Sequence, residues 1–208
     1  HKAILDTCAW MEDQGFCVSY LQPSATGAIT PAQVEAALRD DTLLVTVMQV
    51  NNELGSISDV AGIAKLCRDR GVISHTDAAQ SFGKIPIDVQ ALGVDLLSLS
   101  AHKIYGPKGI GALYVRRQDG LTLDAQVHGG GHEMGMSSGT LPTHQIVGLA
   151  AAARLMHDEM AEQTQRIGAL RDRFVGHLQQ MPGVYLNSDP LVCIPQIVNV
   201  AFDGVEGE

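Results

Sequence analysis

The sequence predicts an α/β fold: a mostly parallel sheet with helices on both faces, followed by the start of a smaller α+β domain. Three observations predict it. Short apolar runs of strand length alternate with amphipathic helical stretches between Thr42 and Arg116, the pattern of a buried parallel sheet. Three of those runs end in polar residues, at Asn51-Asn52, Asp77 to Gln80 and Ser100 to Lys103, as strands do where an open sheet meets a ligand crevice. A long helical pattern from Ile146 to Leu178 then leads into a C-terminal stretch that resumes strand character.

Taken in order, His1 to Gln14 reads as a helix, with Ile4, Leu5, Cys8 and Met11 on one face and Gly15 as its stop. Phe16 to Leu21 alternates and is β-rich, which predicts a strand. Thr30-Pro31-Ala32-Gln33 has capping-box spacing with proline at the first helical position, and it starts a short helix turning Val34, Ala37 and Leu38 inward. Thr42 to Val50 is a buried strand that runs into Asn51-Asn52-Glu53-Leu54-Gly55. Ser58 or Asp59 caps the next helix, which packs Val60, Ile63, Leu66 and Cys67 and stops at Gly71. Val72 to Thr76 is a strand ending in Asp77-Ala78-Ala79-Gln80. Val94 to Ser100 is the strand leading to Lys103, and Gly111 to Arg116 is another. Ile146, Leu149, Ala153, Met156, Met160, Ile167, Leu170, Phe174 and Leu178 predict one bent helix, or two helices meeting near Ala161. On length, a boundary there divides a large domain over residues 1–160 from the opening of a small domain over 161–208. Val184 to Leu186 and Ile197 to Phe202 are strands of the latter.

Composition narrows the class. Of 208 residues 45% are hydrophobic, enough for a well-cored domain, yet no apolar run approaches the roughly 20 residues that cross a bilayer. A net charge of -9 repels phosphate backbones and argues against nucleic acid as a partner. Cys8, Cys17, Cys67 and Cys193 lie far apart with no C-x-x-C pair, which fits reduced thiols in a cytoplasmic protein and not a zinc site or disulfide frame. The chain opens on His1 without a methionine and closes just after an apolar run, as an internal piece of a longer protein does.

Lys103 has two readings. It marks where a core strand reaches water, or its amine does carbonyl chemistry as a Schiff base. The upstream strand ends tip the balance, because Asn51, Asn52, Asp77, Gln80, Ser100, His102 and Lys103 would all face one crevice if their strands share a sheet. Singly, Asp77 is a turn former, Asn52 a turn residue and Gln80 a solvated side chain. Jointly, an acid and an amine held apart on one rigid edge suit pyridoxal phosphate: the lysine takes the aldehyde, and the carboxylate keeps the pyridine nitrogen protonated. Gly106, Gly109 and Gly111 let backbone approach a cofactor but match neither the dinucleotide nor the P-loop spacing.

His128-Gly129-Gly130-Gly131-His132-Glu133 supplies metal-ligating types on a loop too loose to fix tetrahedral geometry, with no third ligand evident. Gly135-Met136-Ser137-Ser138-Gly139 satisfies G-x-S-x-G, but a hydrolase elbow follows a strand and its oxyanion loop lies far off in sequence. Contact with an anion through backbone N–H groups suits this stretch better.

Val50-Asn51-Asn52-Glu53-Leu54-Gly55, His75-Thr76-Asp77-Ala78-Ala79-Gln80-Ser81 and Ala101-His102-Lys103-Ile104-Tyr105-Gly106-Pro107-Lys108-Gly109 closely resemble cysteine desulfurases of the housekeeping iron–sulfur-cluster type. These belong to aminotransferase class V, among the fold-type I pyridoxal-phosphate enzymes. The likeness runs from His1 to Glu208 and covers about the middle half of a family member, so the fold implied is the large domain of a PLP-dependent transferase. By that resemblance Lys103 is the Schiff-base lysine, Asp77 partners the pyridine nitrogen, and Gln80 bonds the phenolic oxygen. His1 matches the histidine that stacks on the ring and moves protons. Asn52 touches cofactor and substrate carboxylate, Ser100 and His102 hold the phosphate, and Thr140 reaches the phosphate of the other subunit of a homodimer. The implied reaction takes L-cysteine to L-alanine and leaves the sulfur as an enzyme persulfide. The implied partners are an iron–sulfur scaffold protein and other sulfur acceptors, including those serving tRNA thiolation, with no direct nucleic-acid or membrane contact.

The departures are specific. The family's nucleophilic cysteine and substrate-carboxylate arginine lie beyond Glu208, and Cys8, Cys17, Cys67 and Cys193 match neither position. Met134 and Ser137 stand where the family has arginines, in an Arg-Gly-Met-Arg-Ser-Gly-Thr pattern. Two alternatives are a selenocysteine lyase or related desulfurase, and a non-catalytic piece that only dimerises or binds a partner.

Overall fold

The computed structural model describes residues 1–118 and 120–207. Its centre is a four-stranded sheet in the order β1 (Leu44–Met48), β2 (Ile73–Asp77), β3 (Leu96–Ser100) and β4 (Gly111–Val115). β1, β2 and β3 are parallel, and β4 returns antiparallel on β3. The pairing Met48–Asp77–Ser98 fixes the register across the three parallel strands, so all three finish at one edge. The mostly parallel α/β sheet predicted from the apolar runs is present.

One sheet face is covered by two helices. α2 (Pro31–Ala37) begins as its sequence predicts: the Thr30 hydroxyl accepts the Gln33 N–H, and the Gln33 side chain accepts the Thr30 N–H at 2.9 Å. Such a cap stabilises a helix start by about 1 kcal/mol. α3 (Val60–Asp69) is capped by Asp59, whose Oδ1 accepts the Gly62 N–H at 2.9 Å. Gly62 is small for a reason: a Cβ there would lie 2.8 Å from Pro31 Cγ, so the glycine lets α2 and α3 meet. Val34, Ile63, Cys67 and Val72 bury together with Val45 and Val47 of β1 packed on them. Each such aliphatic side chain contributes about 1.5–3 kcal/mol by leaving water. Val60, Ala64, Ala78, Val94 and Leu97 form the adjoining cluster on the same face.

A buried acid ties the middle strands. Asp95 Oδ2 accepts the Ser74 N–H and hydroxyl, both at 2.8 Å, and Oδ1 accepts Gln118 Nε2–H at 3.2 Å. Arg116 sits 3.6 Å from the same carboxylate while donating to the Val94 carbonyl. α4 (Val89–Leu92), between the Asp88 cap and left-handed Gly93, is too short to have shown in the apolar spacing.

α1 (Lys2–Asp13) forms as predicted but buries none of its residues, so its apolar face is only partly covered. Phe16 to Leu21 is a correction. The segment pairs with no strand among the described residues; Leu21 instead packs on the cluster beneath α2 and α3. β-propensity is realised only where a neighbouring strand accepts the ladder.

α5 (Thr143–Leu178) is a single helix of 36 residues, about 54 Å long, and Ala161 lies inside it. Beyond it, β5 (Val184–Leu186) and β6 (Val200–Phe202) form a separate antiparallel pair. This end is fastened to the loop after β1: the Ser188 hydroxyl donates to the Leu54 carbonyl at 2.7 Å, and the Ile194 N–H to that of Gly55 at 2.9 Å. Among the described residues no helix is long and apolar enough to cross a membrane.

Candidate active site

The carboxyl edge of the sheet gathers the polar strand ends. After β1 the Gln49 N–H donates to the Asp77 carbonyl at 3.0 Å, and after β2 the Ala78 N–H donates to the Ser98 carbonyl at 2.8 Å. Adjacent strands lie about 4.8 Å apart, so Asp77 stands directly between the exits of β1 and β3. Asp77 is half-buried, and its Oδ1 accepts the Ala79 N–H at 2.8 Å.

Beneath Asp77 on the same face runs a polar row across three strands. Thr46 Oγ1 bonds His75 Nδ1 at 2.7 Å, and His75 Nε2 bonds Ser98 Oγ at 3.2 Å. Burial lowers the pKa of His75, and the charge of Asp77 opposes that shift. This row escaped the sequence reading. Ile73, His75 and Asp77 alternate onto one face, which was a usable signal, but the partners depend on the register.

After β2 the chain folds into a helical turn. The Phe82 N–H donates to the Ala78 carbonyl at 2.8 Å, and the Lys84 and Ile85 N–H groups donate to that of Ser81. Gln80 and Lys84 stand one turn apart, and Lys84 Nζ donates to Gln80 Oε1 at 2.6 Å. Lys84 is half-buried, and its pKa is lowered first by burial and next by the charge of Lys103. Gly83, between Gln80 and Lys84 in sequence, lies against Ile104, the residue next to Lys103.

Lys103 is carried by a 3₁₀ helix, Ala101–Ile104, that opens at the last residue of β3. Ala101 and Ile104 are buried and anchor the turn, whereas His102 and Lys103 are exposed and face away from the core. The Ser100 hydroxyl bonds His102 Nδ1 at 2.7 Å, joining the two residues assigned to the phosphate. Gly83, at φ +76°, lets the Asp77–Lys84 turn press on this 3₁₀ helix; a Cβ there would lie 2.8 Å from Ile104 Cγ2.

Asn52 belongs to the turn after β1. Asn51 shapes that turn, its Oδ1 accepting the N–H groups of Glu53 and Leu54 at 2.9 Å each, and Asn52 has no side-chain hydrogen bond among the described residues. The structure thus brings Asn52, Asp77, Gln80, Ser100, His102 and Lys103 to one edge. It does not join His1 or Thr140 to them. His1 caps α1, with Nδ1 accepting the Ala3 N–H at 3.1 Å, and Thr140 is exposed before α5.

The loop from His128 to Gly139 is closed on itself, the Ser138 N–H donating to the Val127 carbonyl and the Gly131 N–H to the Ser138 hydroxyl. Among the described residues no three His, Cys, Asp or Glu side chains converge as metal ligands. Cys67 is buried in α3, which pushes its thiol up to about 11, and burial also raises that of Cys193.

The donor set at the edge fits pyridoxal phosphate: a half-buried carboxylate for a ring nitrogen, an amide for a phenolic oxygen, a hydroxyl and an imidazole for a phosphate, and an exposed amine for an aldehyde. The aminotransferase class-V family model matches residues 1–208. The cysteine desulfurase IscS of Shewanella baltica is 58% identical over 208 residues, covering all of this chain and 52% of the relative, and that of Pseudomonas aeruginosa is 57% identical with the same coverage. The chain spans about half the length of these curated relatives. Among solved structures, a NifS-like protein superposes with a TM-score of 0.93 at 34% identity, over 99% of this chain and 56% of that one. DndA from Streptomyces lividans gives 0.91 at 38% identity, over 100% and 59%. SspA in complex with cysteine gives 0.84 at 42% identity, over 98% and 56%. The chain belongs to the aminotransferase class-V family.

Proposed function

We propose that this chain forms the cofactor-binding part of a pyridoxal-phosphate-dependent cysteine desulfurase of the housekeeping iron–sulfur-cluster type. The observation that carries the reading is the placement of Asp77 at the end of β2 and of Lys103 just after the adjacent, parallel β3, with the turn that holds Gln80 and Lys84 packed through Gly83 on Ile104, beside Lys103. When bound, pyridoxal phosphate supplies an electron sink for charge left on a substrate's α-carbon. Asp77 holds the proton on the ring nitrogen that makes the sink effective. Lys103 would hold the cofactor through its aldehyde until a substrate amine takes its place there, and the lysine amine so released would carry a proton to or from the α-carbon. Gln80 donates to the phenolic oxygen, Ser100 and His102 fix the phosphate, and Asn52 orients the substrate carboxylate. His1 stacks on the ring and Thr140 serves the partner subunit's phosphate, both by resemblance.

The reaction proposed for the whole protein converts L-cysteine to L-alanine. The carbon–sulfur bond of the substrate breaks, a sulfur–sulfur bond forms to an enzyme thiolate, and the carbon left behind takes a proton, so atoms and electrons balance. SspA, found in complex with cysteine, supports that substrate class. Cys8, Cys17, Cys67 and Cys193 are structural in this reading and none is the sulfur acceptor. A homodimer, an iron–sulfur scaffold protein, sulfur acceptors serving tRNA thiolation and a cytoplasmic setting complete the proposal. Residues 1–160 form the large domain, and 161–208 open the small one.

The test is direct. The chain mixed with pyridoxal phosphate should turn yellow, and borohydride should fix one pyridoxyl group on Lys103, found by peptide mapping. Lys103→Ala should abolish both. Uptake that survives in Lys103→Ala, or a label spread over surface lysines, would overturn the assignment.

A further inference from the structure

Gln80 carries an amide whose two ends have nearly the same shape but opposite roles, one accepting and one donating. Which end faces a ligand is decided by what grips the other. Here the grip comes from Lys84, whose ammonium has three donors and no acceptor and so can meet only the carbonyl oxygen. Both ends of the contact are built on one short turn. Its backbone is closed by the hydrogen bonds of Phe82, Lys84 and Ile85, and Ser81 inside it is fully buried. Gly83 seats this turn on Ile104 and on Met156 of α5, so the turn that carries the pair is packed against the 3₁₀ helix that carries Lys103. No other side-chain hydrogen bond to Gln80 exists among the described residues.

We infer that Lys84 is a positioning residue that turns the Gln80 amide so its N–H groups, and not its carbonyl, are offered to an anionic ring oxygen at this edge. The inference rests on the cofactor reading above and deepens it. Lys84 need not touch the cofactor; it acts through Gln80. The contact also suits Lys84, because burial and the nearby charge of Lys103 both disfavour its ammonium and an acceptor offsets them. A donor facing a phenolate favours that anion. Without the grip, the carbonyl can rotate inward and repel it.

A double-substitution cycle separates this from a mere charge or packing role. Pyridoxal phosphate is titrated into the unsubstituted chain, Lys84→Met, Gln80→Leu and the double variant, and the absorbance of the bound cofactor is followed against pH. Lys84→Met is expected to weaken uptake about tenfold, the worth of one hydrogen bond to a charged group, and to raise the pH at which the absorbance changes. In the Gln80→Leu background the same substitution should change neither. A Lys84→Met effect that persists in full without Gln80, or no effect in either background, would overturn the inference. A second measurement needs no cofactor and no folded Lys84 variant: one slowly exchanging lysine ammonium signal in the NMR spectrum of the free chain should shift in Gln80→Leu, and an unmoved spectrum overturns the contact. Failure of the unsubstituted chain to take up pyridoxal phosphate would overturn the underlying cofactor reading, and the ammonium signal would still judge the Lys84–Gln80 contact.

Discussion

Gly83→Ala probes the joint on which the site depends. Gly83 has φ +76°, and a Cβ added there would lie 2.8 Å from Ile104 Cγ2 and 3.1 Å from Met156 Cβ. Ile104 is 1% exposed, so it has no open space to retreat into. Two costs add: about 1–2 kcal/mol for holding alanine in the left-handed region, and about 1–3 kcal/mol for overpacking. Gly71→Ala is the matched control, because Gly71 has φ +68° and nothing within 4 Å of its added Cβ, so only the first cost applies. Urea unfolding should therefore place Gly83→Ala about 1–3 kcal/mol below Gly71→Ala, and its melting temperature roughly 5–15 °C below that of the unsubstituted chain. Pyridoxal phosphate uptake should fall in Gly83→Ala alone, since only that shift moves Gln80 and Lys84 relative to Lys103. Stabilities of the two variants within about 0.5 kcal/mol of each other would refute the packing argument, whose whole content is the difference between a blocked and an open position.

Four further outcomes are expected. Asp95→Ala should cost about 3–5 kcal/mol in urea unfolding, because it strands the buried Ser74 N–H and hydroxyl and leaves Arg116 without its acid. Burial lowers the pKa of His75, so folding opposes its protonation: the stability present above the unfolded value of about 6.5 is lost as pH falls through the folded value. The urea midpoint should thus drop more steeply below about pH 6.5 in the unsubstituted chain than in His75→Gln, and parallel slopes would count against the buried row. In thiol labelling near pH 8, exposed Cys17 should react early and Cys67, pushed up to about 11, only as the chain opens; a fast phase lost in Cys67→Ser would contradict this. Thr30→Ala should lower stability by about 1 kcal/mol through loss of the capping box at α2, measurable as a shift in urea midpoint at unchanged slope.

The fold was legible where neighbours in sequence are neighbours in space. Thr30 and Gln33 are three residues apart, so the cap of α2 could be read directly, as could Asp59 before α3. The apolar runs became β1 to β4 because a buried parallel sheet needs continuous apolar strands. Phe16 to Leu21 has the same local preference but pairs with no strand among the described residues, a fact that belongs to the tertiary structure and not to the segment. For the long C-terminal helix the spacing allowed a break at Ala161. The structure keeps one helix, since nothing in residues 143–178 breaks it: there is no proline, and glycines 148, 168 and 176 each cost only about 1 kcal/mol.

The site divides along the same line. Asn52, Asp77, Gln80, Ser100, His102 and Lys103 could be placed on one edge because each lies at or just after a strand end, and parallel strands finish together. What holds those residues in position was hidden. Thr46 and His75 are 29 residues apart, and only the register of β1 on β2 sets them opposite each other. Lys84 is nearer, four residues from Gln80, yet that spacing means contact only if the chain turns helically between them. Gly83 at that point, with Pro86 soon after, argues against a helix, and the turn is short enough that both hold: one helical loop, then a left-handed glycine. By local pattern alone, a glycine followed by a lysine is an ordinary exit from a turn. Its purpose appears only when Ile104 arrives from a different part of the chain, because the missing Cβ is what allows the turn after the acid-bearing strand to pack on the 3₁₀ helix that carries the amine.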